Sequence, residues 1–298
     1  MIEVADIRIR SFDVDYLDIY WDIAPCFEDL GNYEFIVERS DNETGPYRAL
    51  TVPMINRFHF RDTTLRGRHS YYAKIYYRIR VQHRESGDSS VWPETGGVKL
   101  AALPDLMALE MARINNLKLK EFMGRKMWVY PRRAGGQRCN TCYDRVTGRK
   151  VRSSCSVCFD TTWVGGFYAP VESYGMIVSP NETVVHSGFG DMEVENTTLL
   201  MGNYPELSEG DLIVEAENIR WRVGSTISKV TKGRALIRQQ APIHRIPKGD
   251  AEYTVPLNLS EAEVKDLLAS PERNYTNPHN LEGDDIASAL KNVFGSES

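Results

Sequence analysis

The chain has little of what membrane and secreted proteins need. No run in its 298 residues approaches the roughly 18 apolar positions of a membrane span. Its first ten residues, MIEVADIRIR, lack the apolar core of a signal peptide. The net charge of −5 excludes a generally basic nucleic-acid-binding protein. We therefore expect a protein that is made in the cytoplasm and has no membrane partner.

Signatures of the common catalytic sites are also missing. The sequence has no G-x-S-x-G, H-E-x-x-H, Walker or dinucleotide-binding motif. Its six histidines are scattered without ligand spacing, and its paired carboxylates, such as Asp284-Asp285, fall in predicted loops or tails. No poised acid–base pair is recognisable, so we expect a protein that is not an enzyme.

Cysteine is scarce, but four of the five cysteines form two C-x-x-C pairs. These are Cys139, Cys142, Cys155 and Cys158. A turn at Thr147-Gly148 can bring the pairs together, and four thiolates suit a closed, structural Zn²⁺ site. Two disulfides or four unrelated thiols are the alternatives. The pattern resembles a zinc ribbon, which predicts a zinc hairpin over 128–165 and zinc as a structural cofactor.

Positive charge is concentrated around this hairpin. Eleven Lys or Arg lie between Lys118 and Arg152, against only Glu121 and Asp144. The predicted basic patch comprises Arg132, Arg133, Arg138, Arg145, Arg149, Lys150 and Arg152. Such a patch attracts DNA phosphates or an acidic protein surface, or it is simply a solvated face.

Residues 1–100 read as an all-β domain. Runs with period-2 alternation lie at 7–10, 17–21, 33–37 and 76–81. Trp21 followed by Pro25, and Leu65 six residues before Tyr71, resemble a fibronectin type III domain with its tyrosine corner. Tyr77 is the alternative corner residue. The resemblance implies a β-sandwich that acts as a spacer or surface decoration.

A linker helix is predicted within 101–127. Pro104 and Asp105 suit its first turn, and Gly124 suits its end. Met107, Met111 and Ile114 fall on one face, which packs either on a neighbouring domain or on another subunit.

Residues 166–250 predict a small antiparallel β-barrel. Within it, the segment GDLIVEAENIRWRVGST resembles paired strands of tailed-phage head-completion proteins. The matching positions are Gly210, Asp211, Ile213, Trp221 and Val223, whereas Asn218 stands where glycine is common. Those proteins form rings at the head-to-tail connection, so the resemblance implies a virion protein with portal-side and tail-side partners.

The remaining residues, 251–298, form an acidic C-terminal tail. Ser260 and Glu263 make a capping box for a short helix. Ile286, Leu290 and Val293 then make an apolar stripe, which we assign to assembly contacts. Such a tail cannot build a core of its own, so it is disordered or folds against a partner.

These parts together predict a mainly β structural protein: sandwich, linker helix, zinc hairpin, small barrel and tail. We expect a homo-oligomeric ring in the neck of a tailed phage, with possible contact to DNA. A tail or baseplate adaptor, and a zinc-ribbon nucleic-acid-binding adaptor, are the alternative functions.

Overall fold

The computed structural model describes residues 2–12, 16–64, 75–99, 105–152, 154–187, 190–215, 218–232 and 235–257. The fold is mainly β, as predicted, with two antiparallel sheets followed by a closed barrel. Among these residues, no helix has the length and apolar character needed to cross a bilayer.

The N-terminal part packs two sheets around one core. Its strands are β1 (Val4–Arg10), β2 (Leu17–Ile23), β3 (Tyr33–Ser40), β4 (Arg48–Ala49), β5 (His59–Asp62), β6 (Tyr76–His83), β7 (Ser89–Trp92) and β8 (Val98–Lys99). One sheet has the order β1-β2-β5; the other has the order β4-β3-β6-β7, with β8 also paired to β6. Trp21, Phe35 and Tyr77 are buried between the sheets. The alternating runs therefore form a β-sandwich.

Of the two tyrosines predicted as alternatives for a tyrosine corner, Tyr77 lies in the described part of the chain. Leu65 and Tyr71 lie outside the described residues. Tyr77 is fully buried on β6, and its phenol donates a hydrogen bond of 2.8 Å to a carboxylate oxygen of Asp62. The acceptor in this bond is thus a side chain rather than the backbone oxygen of a tyrosine corner.

The linker helix is α1 (Leu106–Lys118), and a π-helical turn, Leu119–Met123, continues it. Asp105 caps its N-terminus by accepting hydrogen bonds from the backbone N–H groups of Met107 and Ala108. The helix ends before Gly124, as predicted. It packs on the barrel through Ala108 and Leu109, which are buried against Ala235 and Ile237 of the barrel, and Ala112 is buried as well.

The barrel is built from long and short antiparallel strands. They are β9 (Arg125–Tyr130), β10 (Val171–Ser187), β11 (Gly190–Met201), β12 (Leu212–Glu215), β13 (Arg220–Val223), β14 (Ser228–Lys232) and β15 (Ala235–Arg245). Six of them follow the order β11-β10-β9-β12-β13-β15, and pairing of β15 with β11 closes the barrel. The strand β14 pairs with β15 outside this ring. The two strands that were predicted to pair, β12 and β13, do pair, and Ile213 lies opposite Trp221.

The barrel begins earlier in the chain than the predicted range of 166–250. Strand β9 pairs with both β10 and β12, so the cysteine hairpin is an insertion between two barrel strands. Met127 and Val129 point into the barrel core, while Trp128 and Tyr130 belong to a second cluster outside it. Because both faces of β9 are buried, the strand lacks the alternation that marks half-exposed strands.

The last described residues cover this outer cluster. A 3-10 turn, Ala251–Thr254, leads to Val255, which packs beside Trp128 and Tyr130. Residues 258–298 are outside the described part of the chain, so the predicted capping box and the stripe of Ile286, Leu290 and Val293 are too.

Candidate metal centre

The four paired cysteines meet at one point. Their sulfur atoms all lie within 4.8 Å of one another, and all four residues are buried. Sγ of Cys139 lies 3.8 Å from Sγ of Cys155, and Sγ of Cys142 lies 3.1 Å from Sγ of Cys158. A disulfide needs an S–S distance of about 2.05 Å, so these thiols are not bridged. A Zn²⁺ ion with Zn–S bonds of about 2.3 Å needs sulfur atoms about 3.8 Å apart, which this group approaches.

The first pair is held by a β-hairpin. Val151 donates its backbone N–H to the carbonyl of Cys142 at 2.9 Å, and Tyr143 bridges to Lys150. The turn between them is the predicted one, because Gly148 has a positive φ of 66°. The Asp144 carboxylate accepts hydrogen bonds from Val146 and Thr147 and so fixes the turn.

The second pair is held by a tight loop. Asp160 accepts a hydrogen bond of 2.9 Å from the backbone N–H of Cys155, and Thr161 donates its N–H to the carbonyl of Cys158. Phe159 and Asp160 both adopt positive φ, which turns the chain sharply after the last cysteine. The N–H of Cys139 then bonds to the carbonyl of Thr162, so the two ends of the hairpin pair with each other.

The thiols are not equivalent. Burial raises the pKa of Cys142, and the thiols of Cys158 and Cys139 beside it raise it further. Burial also disfavours the charged form of Cys155, but hydrogen bonds from the backbone N–H groups of Cys158 and Val157 lower its pKa to about 7. The Cys155 thiol is therefore closer than that of Cys142 to the thiolate form that binds metals, and binding by the whole group releases protons.

The hairpin is fastened to the sandwich through its backbone. Gly136 donates its N–H to the carbonyl of Ile23 at 3.0 Å, and Cys26 exchanges hydrogen bonds with Gly136 and Arg138. Gly135 lies so close that a Cβ there would sit 2.3 Å from the oxygen of Ile23. Cys26 itself is half-buried beside the sandwich core, consistent with a packed thiol.

Three of the predicted basic residues lie against aromatic rings. The Arg138 guanidinium lies 3.5 Å from the ring centre of Trp163, and Arg145 lies 4.0 Å from that of Phe27 in the sandwich. Arg133 lies between Phe58 and Tyr168, and burial lowers its pKa. Arg133 and Arg145 thus join the hairpin to its neighbours, whereas Arg138 packs within the hairpin. Spacing along the chain did not reveal these contacts.

The other four residues of the basic patch are exposed, and so is Arg145 despite its ring contact. Among the four, Lys150 is 3.1 Å from the carboxylate of Asp160. The structure thus divides the predicted patch between contacts within the protein and an accessible remainder.

The structure also presents an apolar surface that the sequence indicated only in part. We define the helix face as the exposed apolar side chains of α1 and the following π-helical turn: Leu106, Met107, Met111, Ile114, Leu117, Phe122 and Met123. Among the described residues, these are seven of the fifteen large apolar side chains that are exposed. The 100° step per residue predicted that Met107, Met111 and Ile114 lie together, but not that Ala108, Leu109 and Ala112 would be the buried face.

Comparison with known proteins adds no family assignment. Neither a scan against protein-family models nor a search of curated proteins found a match to this chain.

Proposed function

We propose that this protein is a structural virion protein of a tailed phage that forms a ring at the head-to-tail connection. The observation that carries an assembly role is the helix face. Large contiguous apolar surfaces on soluble proteins are typically sites of protein–protein contact. Methionine-rich surfaces suit such contacts because the side chain adapts to its partner.

The barrel also supports this proposal. The resemblance to head-completion proteins rests on the β12–β13 strand pair, which here belongs to a closed six-stranded barrel. We also propose that the sandwich is of the fibronectin type III kind. Sheet orders β1-β2-β5 and β4-β3-β6-β7 around a buried Trp21 support that assignment.

The ring can be tested on the purified full chain. We expect rings by electron microscopy and a matching mass by light scattering. The double variant Met107→Glu, Met111→Glu places two charges in the helix face and should give monomers. Val146→Glu with Val151→Glu is the control, because these valines are at least as exposed as the two methionines but lie on the cysteine hairpin. A wild-type protein that stays monomeric at all concentrations contradicts the proposal.

We further propose that the four cysteines bind one structural Zn²⁺ as a zinc ribbon. Cys₄ coordination leaves no open position for water or substrate, so the ion would stabilise the hairpin rather than catalyse. Protein purified without added zinc should contain about one Zn per chain. Cys139→Ser should make residues 130–165 sensitive to protease while the sandwich stays folded. Four titratable thiols with no bound metal would contradict this assignment.

Two alternatives predict different observations. The exposed Arg149 and Arg152 favour a nucleic-acid-binding adaptor, which requires salt-dependent duplex binding that Arg149→Gln and Arg152→Gln weaken. A tail or baseplate adaptor would form rings as well, but antibody labelling of virions would place it at the far end of the tail.

A further inference from the structure

Arg220 on β13 is a buried cation without a described counter-charge. Only 3 % of the surface of this residue is exposed to solvent. Nε donates to the side-chain oxygen of Asn218 at 2.9 Å, and Nη1 donates to the carbonyls of Glu252 and Val255 at 3.1 and 2.8 Å. Among the described residues, no carboxylate forms an ion pair with it. These bonds satisfy part of the guanidinium but leave its charge in place.

The neighbouring arginine shows what Arg220 lacks. Arg222, two residues along the same strand, is bound by the carboxylates of Glu252 and Asp250. For Arg220, burial lowers the pKa, which reflects the cost of holding this cation away from water. A buried charge is normally retained where an opposite charge meets it.

Arg220 also lines a cavity of about 310 Å³. Arg245, at the end of β15, and Lys248, just beyond it, line the same cavity, together with the ring of Tyr253. No acidic side chain of the described residues lines it. Three cationic residues from two adjacent segments therefore line one small space.

We propose that this cavity binds a phosphate group. A phosphate carries close to two negative charges near pH 7 and offers several acceptor oxygens, which suits a cavity lined by three cationic residues better than a singly charged anion does. The planar guanidinium of Arg220 matches phosphate geometry, and its position is already fixed by the backbone carbonyls it binds. The cavity uses none of the cysteines and none of the basic patch on the hairpin.

Calorimetric titration of the full chain tests this site at constant ionic strength. Inorganic phosphate and adenosine monophosphate are the titrants, with acetate and adenosine as the matched controls. We expect binding of phosphate and not of acetate. Arg245→Gln with Lys248→Gln should weaken the Kd at least about tenfold, because each removes a charged hydrogen-bond donor. Arg220 is kept, since it also holds the chain at Glu252 and Val255.

The control pair is Arg238→Gln with Lys232→Gln, exposed cations of β15 and β14 that lie outside the cavity. It should leave the Kd unchanged. Tighter binding of adenosine monophosphate than of phosphate would identify a carried phosphate group, and equal binding would identify free phosphate. The proposal is overturned if phosphate acts no differently from acetate, or if the cavity pair binds phosphate as tightly as wild type.

Discussion

Single buried polar residues fix the loop that closes one end of the barrel. The side-chain amide of Gln239 accepts the backbone N–H of Leu207 and donates to the carbonyls of Gly202 and Pro205. The carboxylate of Asp211 accepts the N–H groups of Arg132 and Ser208. These backbone groups are buried and have no partner in a neighbouring strand, so the two side chains supply the hydrogen bonds that water would otherwise make. This is why polar residues occupy these buried positions.

Asp211 should make the stability of the barrel depend on pH. Burial raises its pKa to about 6, although the two N–H groups that it accepts act in the opposite direction. For a carboxyl whose folded pKa is raised, stability is highest below the unfolded pKa and is lost as the pH rises through the folded value. Asp211→Asn removes this loss. From pH 4 to pH 7 the free energy of unfolding of the variant should gain about 2–3 kcal/mol relative to wild type.

Urea denaturation at several pH values measures this slope. Glu209→Gln, which changes an exposed carboxylate of the same turn, should follow the wild-type slope. Parallel pH profiles for wild type and Asp211→Asn would show that Asp211 is not the source of the effect.

Among the elements, the cysteine hairpin depends on its glycines for its position. It leaves the barrel after β9, runs along the sandwich by backbone hydrogen bonds to Ile23 and Cys26, and returns to β10. Side chains add cation–π contacts to the sandwich at Arg133 and Arg145. The hairpin therefore connects the barrel to the sandwich, and its position requires direct contact between its backbone at Gly135 and the sandwich backbone at Ile23.

Gly135→Ala should weaken the contact between the hairpin and the sandwich. The added Cβ would lie 2.3 Å from the Ile23 oxygen, so one of the two backbones must move. We expect a loss of about 1–3 kcal/mol in the free energy of unfolding, as for other overpacked sites. Protease sensitivity of the hairpin should rise as well. Gly249→Ala is the control because a Cβ there meets open space, and equal stability of the two variants would contradict the role given to Gly135.

Local chemistry was easier to predict than contacts between elements. The C-x-x-C pairs, the turn at Gly148 and a helix that begins at about Asp105 follow from rules that act over a few residues, and the structure has each of them. Strand β9 was missed because Met127–Tyr130 is apolar at every position, and only its flanking Gly124 and Pro131 could have marked a buried strand.

The same limit applies to the basic patch. Charge spacing located the cluster, but it could not show that Arg133, Arg138 and Arg145 would meet rings distant in sequence. The cavity at Arg220 was invisible for the same reason, because its cations come together only when β13 and β15 pair.

At the scale of the whole molecule, the sandwich and the barrel also touch directly. Asn203 donates a hydrogen bond of 3.1 Å to the carbonyl of Phe12, and the rings of Phe12 and Tyr204 lie 5.1 Å apart. Arg61 of the sandwich lies over the Tyr204 ring as well. Together with the hairpin, this contact attaches the sandwich to the barrel at two places. A sandwich at the periphery of a ring would therefore still keep a fixed position relative to the barrel.

The acidic tail is the part that should matter for assembly but not for folding. Val255 and Leu257 already cover the outer cluster at Trp128 and Tyr130, and Arg220 binds the chain just before them. A chain truncated after Leu257 should therefore unfold at the wild-type temperature.

In our proposal the tail reaches a partner or a neighbouring subunit, where its negative charge meets a basic surface and sets the register. Virions assembled with the truncated chain should then lack tails or the next neck ring by electron microscopy, and Ile286→Ser with Leu290→Ser and Val293→Ser should reproduce that defect in the full-length chain. Normal infectious, tailed virions from the truncated chain would show that the tail is a passive extension, and the assembly role would then fall to the helix face alone.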